Sequence, residues 1–211
     1  MSLTSQSSQK REPSGVFHGN GRDGNWGEGR REFPFPPGKL GLLLFLATAS
    51  MLFLMLMSAY VVRMALPDWR SLPLPVILWL NTGLLIVSSA IFEWARRSSR
   101  RHESQTLRGS LILAGIFAIL FLLGQLFAWR QLSASGYFLT THPASSFFYL
   151  LTALHGFHVL GGLAAWGATA VQVWRKGATP PVLVRVGLLA IYWHFLLLVW
   201  LAIQGVLWLK S

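Results

Sequence analysis

The stretch from Leu40 to Val62, LGLLLFLATASMLFLMLMSAYVV, runs 23 positions without a charged residue or a proline. Coiled as an α-helix at ~1.5 Å per residue it is about 34 Å long, enough to cross a hydrocarbon core of ~30 Å. Four further runs have the same character: Leu74–Ala95, Gly109–Trp129, Ser146–Trp174 and Val182–Leu209. The five together hold two charges, Glu93 and Arg185, each close to an end. A membrane β-barrel would show strands of about ten residues alternating apolar and polar, whereas these runs are continuous and rich in Leu, Ala and Phe. The fold class expected is an all-α integral membrane protein, a bundle of five transmembrane helices. The last two runs exceed the spanning minimum, which implies tilt or extension beyond the core.

Working outward, 53% of the 211 residues are hydrophobic, and 18 Lys and Arg stand against 7 Asp and Glu. That charged share is about half the soluble average and excludes a single water-soluble globule. Lys and Arg number six before the first span, five between the second and third and three around the fourth connection, against two, one and one on the alternate side. The positive-inside rule then puts the N-terminus in the cytoplasm and the C-terminus outside. Trp69, Trp79, Trp94, Trp129, Trp174 and Trp208 fall near span ends, where an indole buries its ring and keeps its N–H wet. With no cysteine in the chain, disulfides, thiolate metal sites and cysteine nucleophiles are excluded.

Residues 1–37 differ in kind, with Gly15, Gly19, Gly21, Gly24, Gly27 and Gly29 among charges and Pro34, Pro36 and Pro37 at the close. Such a segment buries too little apolar area to offset its ordering entropy, and a disordered cytoplasmic tail is expected, followed by a membrane domain over residues 38–211. It does not read as a signal peptide, since the first apolar run is too long and lacks a cleavage site after a short core. The net charge of +11 is distributed as topogenic flanks, not gathered with aromatics on a soluble face, so nucleic acid is not the expected partner. Anionic phospholipid is, with Arg96, Arg97, Arg100 and Arg101 the densest headgroup candidate.

Polar residues inside spans are few and therefore informative. At 100° per residue, Ser145, Thr152, His155, His158, Gly162 and Thr169 share a sector of about 140° on the fourth span, so this stripe faces protein or a cavity. Small residues recur there at four-residue spacing, Gly161 with Ala165 and Ala164 with Ala168, which lets a neighbouring helix approach. The second span carries Asn81, Thr82, Ser88 and Ser89, the third Gln125, and the fifth Tyr192, His194 and Gln204. Histidines 155, 158 and 194 admit two readings: ligands of a b-type haem, copper or zinc, or helix fasteners that each donate an N–H to a carbonyl or hydroxyl. A carboxylate-bridged di-iron centre needs Glu-x-x-His pairs that the spans lack. No Asp, Glu, Lys or Arg lies at mid-span, which argues against self-contained ion translocation. Glu93 is either an ion-pair partner of Arg96 and Arg97 or a surface proton acceptor.

Two separated segments resemble a known family. Ser146-Phe-Phe-Tyr-Leu-Leu-Thr152-Ala-Leu-His155-Gly156-Phe-His158-Val159, followed by Gly161-Gly162, is similar to the signature of subunit III of haem–copper cytochrome c oxidases. Tyr192-Trp193-His194-Phe195 with Val199-Trp200-Leu201 resembles that family's final helix, and weaker agreement comes from Gly41–Ala47, Ala59-Tyr60 and Asn81-Thr82. The resemblance covers roughly Gly38 to Leu209 and points to the five-helix bacterial form. It implies a bacterial cytoplasmic-membrane protein of the respiratory chain that is not catalytic on its own and holds no haem or copper. The haem and copper would sit in a partner catalytic subunit I, which this chain would stabilise while binding structural phospholipid and assisting proton uptake. Helix-fastening or subunit-contact residues would be Thr152, His155, Gly156, His158, Gly161 and Gly162 on the fourth span, Asn81 on the second, and Trp193 and His194 on the fifth. Many members carry a buried Glu where this chain has Ala49, and an Asp where it has Leu197; both changes remove proton-binding groups. A subunit accompanying nitric oxide reductase is the alternative within the family, and a small-molecule transporter the alternative outside it.

Overall fold

The computed structural model describes residues 37–67, 69, 74–101, 104–139 and 142–209. Five helices follow in order: α1 (Pro37–Arg63), α2 (Ile77–Arg100), α3 (Ser104–Ala134), α4 (Pro143–Lys176) and α5 (Pro180–Trp208). Each is long and apolar enough to cross a membrane, and the described residues contain no strand. The expected tail, residues 1–37, lies outside the described residues except for Pro37, which opens α1.

The helices outrun their apolar cores at polar ends, α2 to Arg100 and α4 to Lys176, because hydroxyl and basic residues at headgroup depth leave the i→i−4 ladder intact. α2 starts at Ile77, three residues into its apolar run. Pro75 lies in the entering turn, where Leu78 N–H donates to the Pro75 carbonyl (3.1 Å) and Trp79 N–H to that of Val76 (3.0 Å). α4 and α5 each begin on a proline, Pro143 and Pro180, whose missing N–H is no loss in a first turn. Gly136 and Gly177, at φ of 85° and 67°, follow α3 and α4 where a left-handed residue turns the chain out of the helix.

Helices α2, α3, α4 and α5 form a closed ring in which each touches the next, and α1 lies outside it, against α4 and α5. Of the five, α1 buries the smallest share of its span and α5 the largest. Leu85, Phe92, Leu111, Phe121, Phe148, Trp193 and Trp200 fill the ring's interior.

Three glycines set the spacing of the ring. A Cβ at Gly115 on α3 would run into the indole of Trp166 on α4, and one at Gly124 into the side-chain amide of Asn81 on α2. A Cβ at Gly162 on α4 would lie 2.8 Å from both Trp193 and Tyr192 of α5. Gly161, by contrast, has open space beside it. It lines a groove with Ala165 and Ala168, so the close approach expected of the small-residue face is made one position later, at Gly162. Gly115→Ala and Gly124→Ala are each expected to destabilise by about 1–3 kcal/mol through overpacking, read as lower thermal unfolding temperatures in detergent. Gly167→Ala, where nothing lies within 4 Å, should leave stability unchanged or slightly raised, since alanine is the better helix former.

Candidate functional site

Hydrocarbon offers no water to a buried donor, so polar side chains in a membrane bundle must find one another. Here four tryptophan N–H groups do so across seams. Trp200 Nε1 donates to Thr82 Oγ1 at 3.0 Å and Trp193 Nε1 to Ser88 Oγ at 3.0 Å, both tying α5 to α2. The Ser88 hydroxyl in turn donates to the Ala114 carbonyl at 3.0 Å, so one side chain joins α2, α3 and α5. Between α3 and α4, Trp129 Nε1 donates to Thr152 Oγ1 (3.0 Å) and Trp166 Nε1 to the Leu111 carbonyl (2.8 Å). Asn81 Nδ2 donates to Gln125 Oε1 (3.3 Å) between α2 and α3, and Tyr192 Oη to the His158 carbonyl (2.8 Å) between α5 and α4.

The polar stripe of α4 is turned inward: Ser145, Thr152, His155 and Thr169 are buried, and His158 is half-buried beneath α1. The three histidines sit in three different settings. His155 is fully buried, its ring 5.1 Å from that of Trp200, 5.7 Å from Phe121 and 6.4 Å from Phe53. It makes none of the hydrogen bonds expected of a fastener; ring packing joins α4 to α1, α3 and α5 there. His158 Nδ1 donates to the Leu154 carbonyl at 2.8 Å within its own helix, and its ring packs on Phe45 and Phe53 of α1. His194 bridges helices, with Nδ1 2.6 Å from Ser89 Oγ and Nε2 3.4 Å from Glu93 Oε2. A neutral ring that donates from Nε2 and accepts at Nδ1 satisfies both partners. Gly156 is half-buried at the α3–α4 seam, lining a groove with Gln125, Trp129 and Thr152.

Glu93 is the hub of the charged end of α2. Its carboxylate accepts from Arg96 (2.9 Å) and Arg97 (3.2 Å), the i+3 and i+4 geometry expected, and additionally faces His194 of α5. Arg100 lines a groove with Lys39, Arg96 and the first turns of α5, and Arg101 terminates α2. Among the described residues no group of three or more His, Cys, Asp or Glu is placed to hold a metal ion. The arrangement is suited to holding helices in register and presents basic groups at one end of the bundle.

Several seam residues were not singled out by composition: Trp166, Trp200, Tyr149, Phe53 and Phe121. A signal for Trp200 existed. Trp193 and Trp200 are seven apart, and so nearly are the hydroxyls of Thr82 and Ser88 on a helix running the other way. Trp129, expected as a wet interfacial indole, instead bonds Thr152.

These features define a class: a multi-pass membrane protein whose helices are tied across their seams by side-chain hydrogen bonds and ring packing. The family model for cytochrome c oxidase subunit III matches residues 29–210. A probable cytochrome c oxidase subunit 3 of Mycobacterium tuberculosis is 31% identical over 127 residues, 60% of this chain and 63% of that relative, so the chain spans under two thirds of its length. Cytochrome c oxidase subunit 3 of Synechocystis is 30% identical, covering 77% of this chain and 71% of the relative. Cytochrome bo(3) ubiquinol oxidase subunit 3 of Pseudomonas aeruginosa is 27% identical, covering 81% and 84%. The chain belongs to the cytochrome c oxidase subunit III family.

Because Ser88 both accepts from Trp193 and donates to Ala114, Ser88→Ala should cost more than a single interhelical bond. A loss of about 1–2 kcal/mol is expected, against about 0.6 for an average bond of this kind. Thermal unfolding in detergent beside Thr48→Ala, whose hydroxyl bonds only its own helix, checks this.

Proposed function

We propose that the chain is a non-catalytic accessory subunit of a bacterial haem–copper terminal oxidase, packed beside the catalytic subunit in the cytoplasmic membrane. The observation that carries this is the family match across residues 29–210, supported by relatives from both cytochrome c and ubiquinol oxidases. Their names differ in electron donor, so the proposal extends to a terminal oxidase and not to its donor. The bundle supports a role by packing: Thr82, Ser88, Thr152 and four indoles are bonded across seams, and His155 and His158 are packed against aromatic rings. Haem and copper chemistry would belong to the partner.

The bias of basic residues supports an N-terminus inside and a C-terminus outside, with residues 1–37 a cytoplasmic arm. Arg96 and Arg100, with Lys39 across the same groove, are suited to phospholipid headgroups at the cytoplasmic face. Thr152, His155, His158, Gly162, Asn81, Trp193 and His194 would act as fasteners, His155 by ring packing alone, and Gly156, in the α3–α4 groove, and the exposed Gly161 as contacts. Ala49 is buried and Leu197 packs against the core, so support of proton uptake through acids at those positions is not part of the proposal. Glu93, held by two guanidiniums, is an ion-pair partner before it is a proton acceptor.

Gentle detergent purification through a tagged chain is expected to recover a haem-containing catalytic subunit with oxidase activity, while the separated chain shows no haem spectrum. A b-type haem retained by the isolated chain would overturn the proposal. His155→Ala, which empties the space between Phe53, Phe121 and Trp200, is expected to cost about 3–5 kcal/mol. Recovery of the complex should fall while the haem spectrum of the surviving complex stays unchanged.

A further inference from the structure

Antiparallel register fixes the depth of the Glu93–His194 pair. Trp79 and Trp208 meet edge to face at 5.2 Å, at one end of the α2–α5 seam. Glu93 lies 14 residues beyond Trp79 on α2, and His194 14 residues before Trp208 on α5. At ~1.5 Å per residue both are about 21 Å from that end; with the Trp79–Trp208 pair set at one edge of a ~30 Å hydrocarbon core, as interfacial tryptophans are, they lie roughly 9 Å inside the opposite edge.

At this depth the His194 side chain is 45% exposed on the outside of the ring, beside Arg97 at 74%. A long arginine can reach the headgroups from there, but the short imidazole cannot, and an ionisable ring facing lipid is costly. The cluster also carries surplus positive charge, since the guanidiniums of Arg96 and Arg97 share one carboxylate. Farther along the same seam, a groove of about 570 Å³ opens between Trp79, Thr82, Leu201, Gln204, Gly205 and Trp208. The neighbouring α4–α5 seam has α1 against it; among the described residues the α2–α5 seam has no such helix.

We propose that the outer face of the α2–α5 seam is where a transmembrane helix of the catalytic subunit docks. That helix would present a carboxylate or other hydrogen-bond acceptor to Arg97 and to the Nε2–H of His194, which Glu93 holds only at 3.4 Å, and apolar side chains to the groove. The proposal rests on the accessory-subunit reading and names the face it uses.

The chain has no cysteine of its own, so a single introduced thiol is unique within it, and the cysteine-free parent complex labelled alongside gives the background from other subunits. In the complex purified through the tagged chain, Leu198→Cys and Leu201→Cys on the seam are labelled with a maleimide photocrosslinker. Met55→Cys on α1 and Phe157→Cys on α4, 71% and 72% exposed, serve as comparisons. The seam positions are expected to crosslink to the haem-bearing subunit and the comparison positions not to. Crosslinks from the seam only to lipid or to a second copy of the chain would overturn the inference, as would capture of that subunit by the comparison positions alone. His194→Leu is expected to lower recovery of the complex at least five-fold while the chain itself still elutes as a single species, and His194→Gln to retain it. Undiminished recovery with His194→Leu would likewise overturn it. If a complex forms without seam crosslinks, the docking face alone is wrong; if no haem subunit accompanies even the parent chain, the accessory-subunit reading fails and takes this inference with it.

Discussion

Two antiparallel helices, α2 and α5, are held in one register by four contacts spread along their common length: Trp208 with Trp79, Trp200 with Thr82, Trp193 with Ser88 and His194 with Glu93. Lipid gives little apolar driving force for two such helices to associate, because its tails are as apolar as leucine. What it imposes instead is a penalty on any donor left unpaired. Sliding α5 by one turn along α2 would strand two indole N–H groups in hydrocarbon. The rest of the ring follows, since Ser88 also reaches α3 through Ala114, and the same α5 segment supplies the rings that Gly162 of α4 accommodates.

Glycine and tryptophan act as a pair in this bundle. Each indole is large and needs its nitrogen near an acceptor, so a facing helix must give up a side chain to let the ring in, as Gly115 does for Trp166 and Gly162 for Trp193. α1 stands outside this scheme. Its links to α4 are between rings, Phe45 and Phe53 against His158 and Tyr60 against Phe147, and its hydroxyls at Thr48 and Ser50 bond back to its own carbonyls. It is held by packing where the ring is held by packing and directed bonds.

The middle of each span holds no Asp, Glu, Lys or Arg. Glu93 is neutralised by neighbours on its own helix, and His155 is enclosed by aromatic rings without a hydrogen bond. At Ala49 and Leu197 this chain packs apolar groups.

Five helices, their order and their approximate limits were legible in the sequence, because a hydrocarbon core demands about twenty apolar residues per crossing and tolerates charges only near the ends. The inward stripe of α4 was legible for the same reason, since few polar residues at 100° spacing leave a single face to bury. The sequence alone did not reveal that Trp129 and Trp200 bond hydroxyls on other helices, that Gly162 and not Gly161 meets its neighbour, or that His155 packs against rings instead of donating. Apolarity is a property of each helix by itself. Which helix lies beside which, and at what register, depends on shape and on pairs of groups far apart in the chain, and only the assembled bundle brings those together.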